Sequence, residues 1–346
     1  MTTATIRPFG TCVLGAVDCI TLTNDAGITV ELITLGATIA NVMVPDKNGT
    51  PVDISLGYDT PQAYLDAPAY AGGCIGRYAN RIGNSTFILE GETLHVTPNQ
   101  NGVHHLHGGA FGYDKRLWTA ICNDDGSATF HLTDQDGTEG YRGTVEVDVT
   151  FTLTAHQLHI TYRAQTDTTT VVNLTHHPYF NLDGHDAGTV ATHTLQLDAP
   201  FYTPADDAGI TTGEISTVTG TPLDYTACKA VGLAIADHSL TVTRGLDHNF
   251  VLGAHKASDF VATISSANSG ITLAFASSLP CIQVYTGGFF GNQTGKGGAL
   301  YHNHSGMALE PQFPPNSVNF PHFPSPVLQA GDVYNHTITY GFGVVK

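Results

Sequence analysis

Positive charge is scarce in this sequence: 13 Lys and Arg stand against 30 Asp and Glu in 346 residues, a formal net charge of −17. Charged residues of both signs make up only 12% of the chain, so the acidity comes from missing cations rather than dense carboxylates. Such a surface repels phosphate backbones and anionic lipid, which argues against nucleic acid and membrane surfaces as partners. Tryptophan occurs once, at Trp118. The six cysteines (Cys12, Cys19, Cys74, Cys122, Cys228 and Cys281) form no CxxC pair and no framework spacing. They read as buried, reduced thiols, which fits the cytoplasm. No apolar run reaches the ~18 residues of a membrane helix. The segment Met1 to Phe9 lacks the basic-then-apolar order of a signal peptide. Also missing are a GxGxxG at a strand–helix junction, a GxxxxGK[ST] and a GxSxG. Nucleotide-phosphate cradles and a serine-hydrolase elbow are therefore not indicated. Nor does the sequence reveal the matched carboxylate pair that glycoside hydrolysis needs.

What is present is a period of two. Val145, Val147, Val149, Phe151 and Leu153 alternate with polar residues, as on a half-buried strand, and Leu158, Ile160 and Tyr162 repeat the pattern after a short turn. The stretch from Ile28 to Val44 is rich in β-branched and aliphatic residues and leads to a turn at Asn48-Gly49. Glu90-Gly91-Glu92 separates two short apolar runs as a hairpin would. Helical turns fit only near Thr60–Leu65 and Thr226–Ala236. With 38 Gly and 17 Pro along the chain, and neither a low-complexity linker nor an internal repeat, the expectation is an all-β chain. It forms one large domain, residues 1–346, whose loops carry the site.

Four segments have the wrong composition for ordinary loops. Gly76 to Gly83 holds two of the few arginines, Arg77 and Arg81, with Asn80 between them. It is either a solvated turn or a fixed guanidinium and amide for a polyol. Asn101 to Gly109 holds His104, His105 and His107. On one strand His105 and His107 would share a face, as metal ligands do, yet no carboxylate follows before Asp114. One functional imidazole among packed neighbours fits better than a metal site. Asn173 to Asn181 carries His176-His177; in an extended chain these rings point to opposite faces, so one alone enters a cleft. In Met307 to Pro315, Glu310 ends an apolar run, and partial burial there would raise its pKa and keep it basic enough to accept a proton near neutrality. A surface glutamate at a strand end is the plain alternative. Asp247, in Arg244 to Phe250, offers a carboxylate for sugar hydroxyls, and Gln283 and Tyr285 alternate onto one face of a strand-like run.

Taken together, Gly76–Ile82, Leu106–Gly109, Asn173–His177, Gly245–Asn249, Gln283–Gly287, His304–Gly306 and Leu309–Gln312 resemble the galactose mutarotase (aldose 1-epimerase) family, in the family's order. The resemblance implies a large antiparallel β-sandwich of the supersandwich type with an open sugar cleft. It implies a catalytic base at Glu310, a general acid at His177 rather than His176, and a second active-site histidine at His107. It places sugar-binding residues at Asn80, Arg81, Asp247 and Gln283, with no metal and no cofactor. Two departures stand out: the family often has Asn where this chain has His176, and Asp where it has Asn316.

The implied chemistry suits the inventory. Anomer exchange in a small neutral aldose removes a proton from the C1 hydroxyl and delivers one to the ring oxygen, which one carboxylate and one imidazolium can do. The resulting pH profile is expected to fall when Glu310 protonates or His177 deprotonates. A hexose-6-phosphate 1-epimerase would use the same pair but needs cations. A non-catalytic carbohydrate-binding module would need neither Glu310 nor His177. The state of assembly, monomer or homodimer, is left open by the sequence.

Overall fold

The computed structural model describes residues 2–345. Among these, three antiparallel sheets dominate. The first is a five-stranded meander, Thr3–Cys12, Gly15–Thr23, Thr29–Ile33, Thr38–Pro45 and Pro51–Asp53, in chain order. The second has nine strands in the spatial order Thr119–Cys122, Ala128–Asp134, Val145–Leu153, Gln157–Thr166, Tyr334–Val344, Ile271–Ser277, Phe260–Ser265, Thr194–Leu197 and Lys229–Ala230. The third has six, Tyr179–Phe180, Met307–Gln312, Cys281–Tyr285, Asp247–Val251, Phe201–Thr203 and Ser216–Thr217. The C-terminal strand Tyr334–Val344 sits mid-sheet between Gln157–Thr166 and Ile271–Ser277, so the end of the chain closes the largest sheet.

Alternation explains how these sheets share a core. Leu22, Val30 and Val42 of the first sheet, Phe130, Val147, Ile160 and Tyr340 of the second, and Phe250, Ile282, Val284, Met307 and Leu309 of the third join one continuous apolar cluster. Each fully buried aliphatic side chain there stabilises the fold by about 1.5–3 kcal/mol relative to exposure. Because the period is two, the residues between the core-facing ones on the third sheet are turned to its other face. That face carries Thr203, Asn249, Gln283 and Glu310, which stand opposite one another across four adjacent strands.

The local expectations hold with some adjustment. Glu90 and Gly91 are both left-handed (φ 52° and 82°) and close the two-residue hairpin between Thr86–Leu89 and Glu92–His95. Asn48-Gly49 lies in a longer loop, in which Asp46 Oδ1 accepts the N–H groups of Asn48 and Thr50 at 2.8 Å. The Ile28–Val44 stretch forms two strands divided by a turn at Gly36 and Ala37 (φ 71° and 45°). The first helical turn is Pro61–Asp66, capped by Thr60 Oγ1 accepting from the Ala63 N–H. The second shrinks to Gly232–Ile235, because Lys229–Ala230 is drawn into the edge of the large sheet. All six cysteines are free; Cys19, Cys74 and Cys281 are buried as expected, whereas Cys122 and Cys228 are exposed. No helix of the described residues is long and apolar enough to cross a membrane.

Candidate active site

A cleft of about 890 Å³ opens over the polar face of the six-stranded sheet, and Asn80, Arg81, His107, His177, Asp247, Gln283 and Glu310 all line it. Sequence positions 230 residues apart meet here because the sheet supplies the floor and short ribbons supply the walls.

The floor holds the carboxylate. Met307 and Leu309 point into the core, so Glu310 between Leu309 and Pro311 must point into the cleft, with Gln283 directly opposite on the next strand. Glu310 is 1% exposed, more deeply buried than the partial burial expected for it. Among the described residues its Oε2 has no hydrogen-bond partner. Burial pushes its pKa well above the usual carboxylate range, Asp247 adds to the rise, and Arg81 opposes it. Gln283 donates to Asp247 Oδ1 at 2.6 Å, which leaves its own Oε1 buried and unpartnered.

One wall is built on the His-His pair. His176 pairs with Cys74 on a short ribbon and turns to the core, where its ring bonds Tyr162 Oη and, at 3.0 Å, the Ala37 carbonyl. His177 turns the other way, and its Nε2 lies 3.4 Å from Glu310 Oε1. The opposition of the two faces is thus real, and the cleft-facing ring is the second. Burial lowers the His177 pKa to about 4. Burial thus acts on both groups in the same sense, favouring the neutral carboxyl and the neutral imidazole over the charged forms. Because the two groups are in contact, the pH profile of turnover reports the pair rather than either residue alone.

The other wall carries Arg81 and His107. The ribbon Arg81–Ile82 pairs with His105–Leu106. The chain then leaves the strand, because His107 is left-handed (φ 51°). For that reason His105 and His107 do not share a face. His105 faces inward and bonds the Thr97 carbonyl (2.7 Å) and Tyr141 Oη (2.6 Å), while His104 Nδ1 accepts the Asn84 N–H at the surface. His107 enters the cleft. Its Nδ1 accepts the Asn80 N–H (3.2 Å) and its own N–H donates to the Asn80 carbonyl (3.0 Å). Arg81 Nε donates to Gln100 Oε1 (2.9 Å), and its guanidinium also reaches Asn80 Oδ1 (3.4 Å). Arg77, its neighbour in the same motif, takes no part in the cleft. It is buried against Asp134, with NH2 2.7 Å from Oδ2, and donates to the carbonyls of Arg142 and Gly143. At Asn316, one of the two departures, the side chain serves as an acceptor: Oδ1 takes the Gly83 N–H (3.0 Å) while the backbone N–H holds the Arg81 carbonyl (2.8 Å).

His107, His177 and Glu310 offer ligand atoms that all lie within 4.8 Å of one another, a donor set a divalent metal could use. The hydrogen bond into His107 Nδ1 argues otherwise. A neutral ring accepting at Nδ1 carries its proton on Nε2, so the cleft-facing nitrogen is a donor and not a lone pair. Burial, together with His177, Arg81 and His105, holds His107 well below its ordinary pKa and so neutral.

Residues that sequence reasoning did not single out also line the cleft: Tyr70, Gln100, Tyr179 and Asn249. Tyr179 had a signal, lying two residues beyond His177 on the same face. Tyr70 had none beyond the glycines that follow it.

Comparison with known proteins agrees with this geometry. Residues 18–341 match the family model for aldose 1-epimerase. Galactose mutarotase of Sus scrofa is 40% identical over 331 residues, covering 95% of each chain. Aldose 1-epimerase of Escherichia coli K12 is 38% identical over 328 residues, covering 93% of this chain and 94% of that one. Among solved structures, a GalM/aldose epimerase homologue from C. elegans superposes with a TM-score of 0.89 at 35% identity, over 96% of this chain and all of the other. The two-wall cleft, the sheet that floors it and the length of these matches lead to one statement: the chain belongs to the aldose 1-epimerase family.

Proposed function

We propose that residues 1–346 form one catalytic domain that interconverts the α and β anomers of free aldoses such as galactose or glucose, in the cytoplasm, as a monomer or homodimer without metal or cofactor. The observation that carries this reading is a buried carboxyl, Glu310, with one oxygen unpartnered and the other 3.4 Å from a buried imidazole, His177.

The pair works with a single proton between its members. In ring opening, the Glu310 carboxylate takes the C1 hydroxyl proton while the His177 imidazolium protonates the ring oxygen. The C1–O bond breaks and its electrons leave with the ring oxygen as C1 becomes an aldehyde. Rotation about C1–C2 presents the other face. In closure, Glu310 returns its proton to the aldehyde oxygen and His177 recovers one from the hydroxyl that attacks C1. Opening starts with the proton on His177 and closure starts with it on Glu310, so one cycle restores the pair. Each positioned group contributes roughly 10²–10⁴-fold.

The walls suit a polyol. Asp247 and the free Oε1 of Gln283 accept hydroxyl protons, whereas Arg81, Asn80 and the Nε2–H of His107 donate. Among the described residues that line the cleft, Arg81 is the one Lys or Arg, against Asp206, Asp207, Asp247 and Glu310. That balance disfavours a sugar phosphate. The test is polarimetry on freshly dissolved α-galactose and α-glucose with chelator-treated protein. Faster approach to anomeric equilibrium is expected. No acceleration on these sugars, on pentoses or on sugar 6-phosphates would overturn the reading in favour of a binding module.

A further inference from the structure

Tyr70 sits where three lines of geometry cross. Its ring stacks on His177, with centroids 6.2 Å apart and planes 24° from parallel, and it lies tilted on His107 at 4.8 Å. It thus covers a face of both cleft histidines at once. Its backbone is left-handed (φ 56°), an unfavourable state for a bulky side chain. That state is held by a turn stitched to His177 itself. The Gly73 N–H closes the turn on the Tyr70 carbonyl (3.0 Å). The Gly72 N–H donates to the His177 carbonyl (2.9 Å), and the His177 N–H donates to the Gly73 carbonyl (3.1 Å). A side chain at Gly72 would meet the Ile39 carbonyl at 2.1 Å, so only glycine lets this turn lie flat against the sheet.

We infer that Tyr70 is a positioning residue for the acid–base pair, whose ring keeps water off His177 and His107 and thereby sets where the shared proton rests. This rests on the assignment of the pair above. The hydroxyl is secondary; the ring face does the work.

The other groups around His177 are accounted for. Glu310 faces it from the strand Met307–Gln312, Tyr285 from Cys281–Tyr285, Tyr179 from its own strand, and His107 from the opposite wall. Arg81 and Asp247 act on Glu310, and Arg81 also on His107. Lys115 Nζ lies over the Tyr70 ring at 5.9 Å, and Asp114 acts on the Tyr70 phenol. Removing the ring changes none of these charges. It admits water, which favours the protonated imidazole, since burial is the main cause that lowers the His177 pKa.

The test reads the imidazoles directly, by NMR titration of isotope-labelled histidine in the full chain, with the His177 signal identified by its loss in His177→Asn. Tyr70→Asn removes the cover while suiting the left-handed backbone. It should raise the His177 midpoint by about one pH unit and carry the acid limb of kcat/KM with it. Tyr70→Phe should leave both in place, and Tyr70→Gly replaces the Asn variant if that chain does not fold. An unchanged His177 midpoint after loss of the ring overturns the inference, and so does an equal shift in Tyr70→Phe, which would give the role to the hydroxyl. The titration needs no turnover, so failure of the anomerase reading shows separately in polarimetry.

Discussion

Asn80 and His107 hold each other by two hydrogen bonds, Asn80 N–H into His107 Nδ1 at 3.2 Å and His107 N–H onto the Asn80 carbonyl at 3.0 Å. The pair fixes which nitrogen of His107 carries the proton, and with it what the ring can do. A donor at Nε2 can bind a sugar oxygen; it cannot ligate a cation without breaking the Asn80 contact. Exhaustive chelation should therefore leave kcat and KM unchanged, and added zinc should not raise either. Loss of turnover on chelation, restored by one metal, would reassign His107, His177 and Glu310 as ligands.

Glu310→Gln keeps the volume and removes the base. Turnover should fall by about 10²–10⁴-fold. Because the carboxyl is buried with an unpartnered oxygen, the melting temperature should stay level or rise. Near-native kcat in this variant would remove Glu310 from the mechanism.

His177→Asn should lose turnover by a similar factor of about 10²–10⁴, whereas His176→Asn should keep most of it and lose stability instead. The difference follows from which face each ring occupies: His176 ties Tyr162 to the Ala37 carbonyl inside the core. Thermal melts and polarimetry on the two variants check this, and the reverse ranking would refute it.

Two pH effects should separate. The kcat/KM profile should fall below about pH 4, where His177 takes a second proton onto the pair, and fall again at high pH as Glu310, raised by burial, gives up the shared one. Stability should follow a different window. His105, His176 and His336 are each lowered by burial from 6.5 to about 4. Their stabilising contribution is fully present above pH 6.5 and is lost as pH falls toward 4, because the unfolded chain takes up protons first. Asp114, raised by burial to about 7, and Glu310 act in the opposite sense, but the buried histidines outnumber them. Melting temperature should drop between pH 7 and pH 5, and calorimetry over that range checks it.

Gly209, left-handed at φ 80°, lies against the Arg81 guanidinium so closely that an added Cβ would stand 2.9 Å from its Cζ. Gly209→Ala should displace Arg81 and raise KM about tenfold, the loss of one charge-assisted hydrogen bond, with a smaller effect on kcat. An unchanged KM would mean that Arg81 does not hold the sugar.

The strands were legible because alternation is local: Val145–Leu153 and Gln157–Thr166 declare their faces residue by residue. The opposition of His176 and His177 follows from the same period. The site's own turns were not legible. His105 and His107 have strand spacing, and nothing nearby in sequence shows that His107 turns left-handed. Arg77 and Arg81 look alike in their motif; what separates them is Asp134, 57 residues beyond Arg77, which takes one guanidinium into the core. Tyr70 meets its histidines through contacts that span tens of residues, and a reading of neighbours does not reach that far. Asp247 and Gln283 stood out by residue type and strand alternation, but their contact with each other, which joins two strands, did not show in the sequence.

Tyr70, Asn80, His107 and Asn316 share one trait: each is a non-glycine residue with positive φ, between 51° and 61°. Such a backbone costs roughly 1–2 kcal/mol per residue, and glycine would relieve it. A thermostabilisation campaign ranking positions by backbone comfort would therefore choose these four early, and glycine at each would ease the chain while taking away a ring, an amide or an imidazole that lines the cleft or, at Asn316, braces its wall. Gains in heat resistance should be sought in the hairpins at the far edges instead, where the chain is free to improve without touching the chemistry.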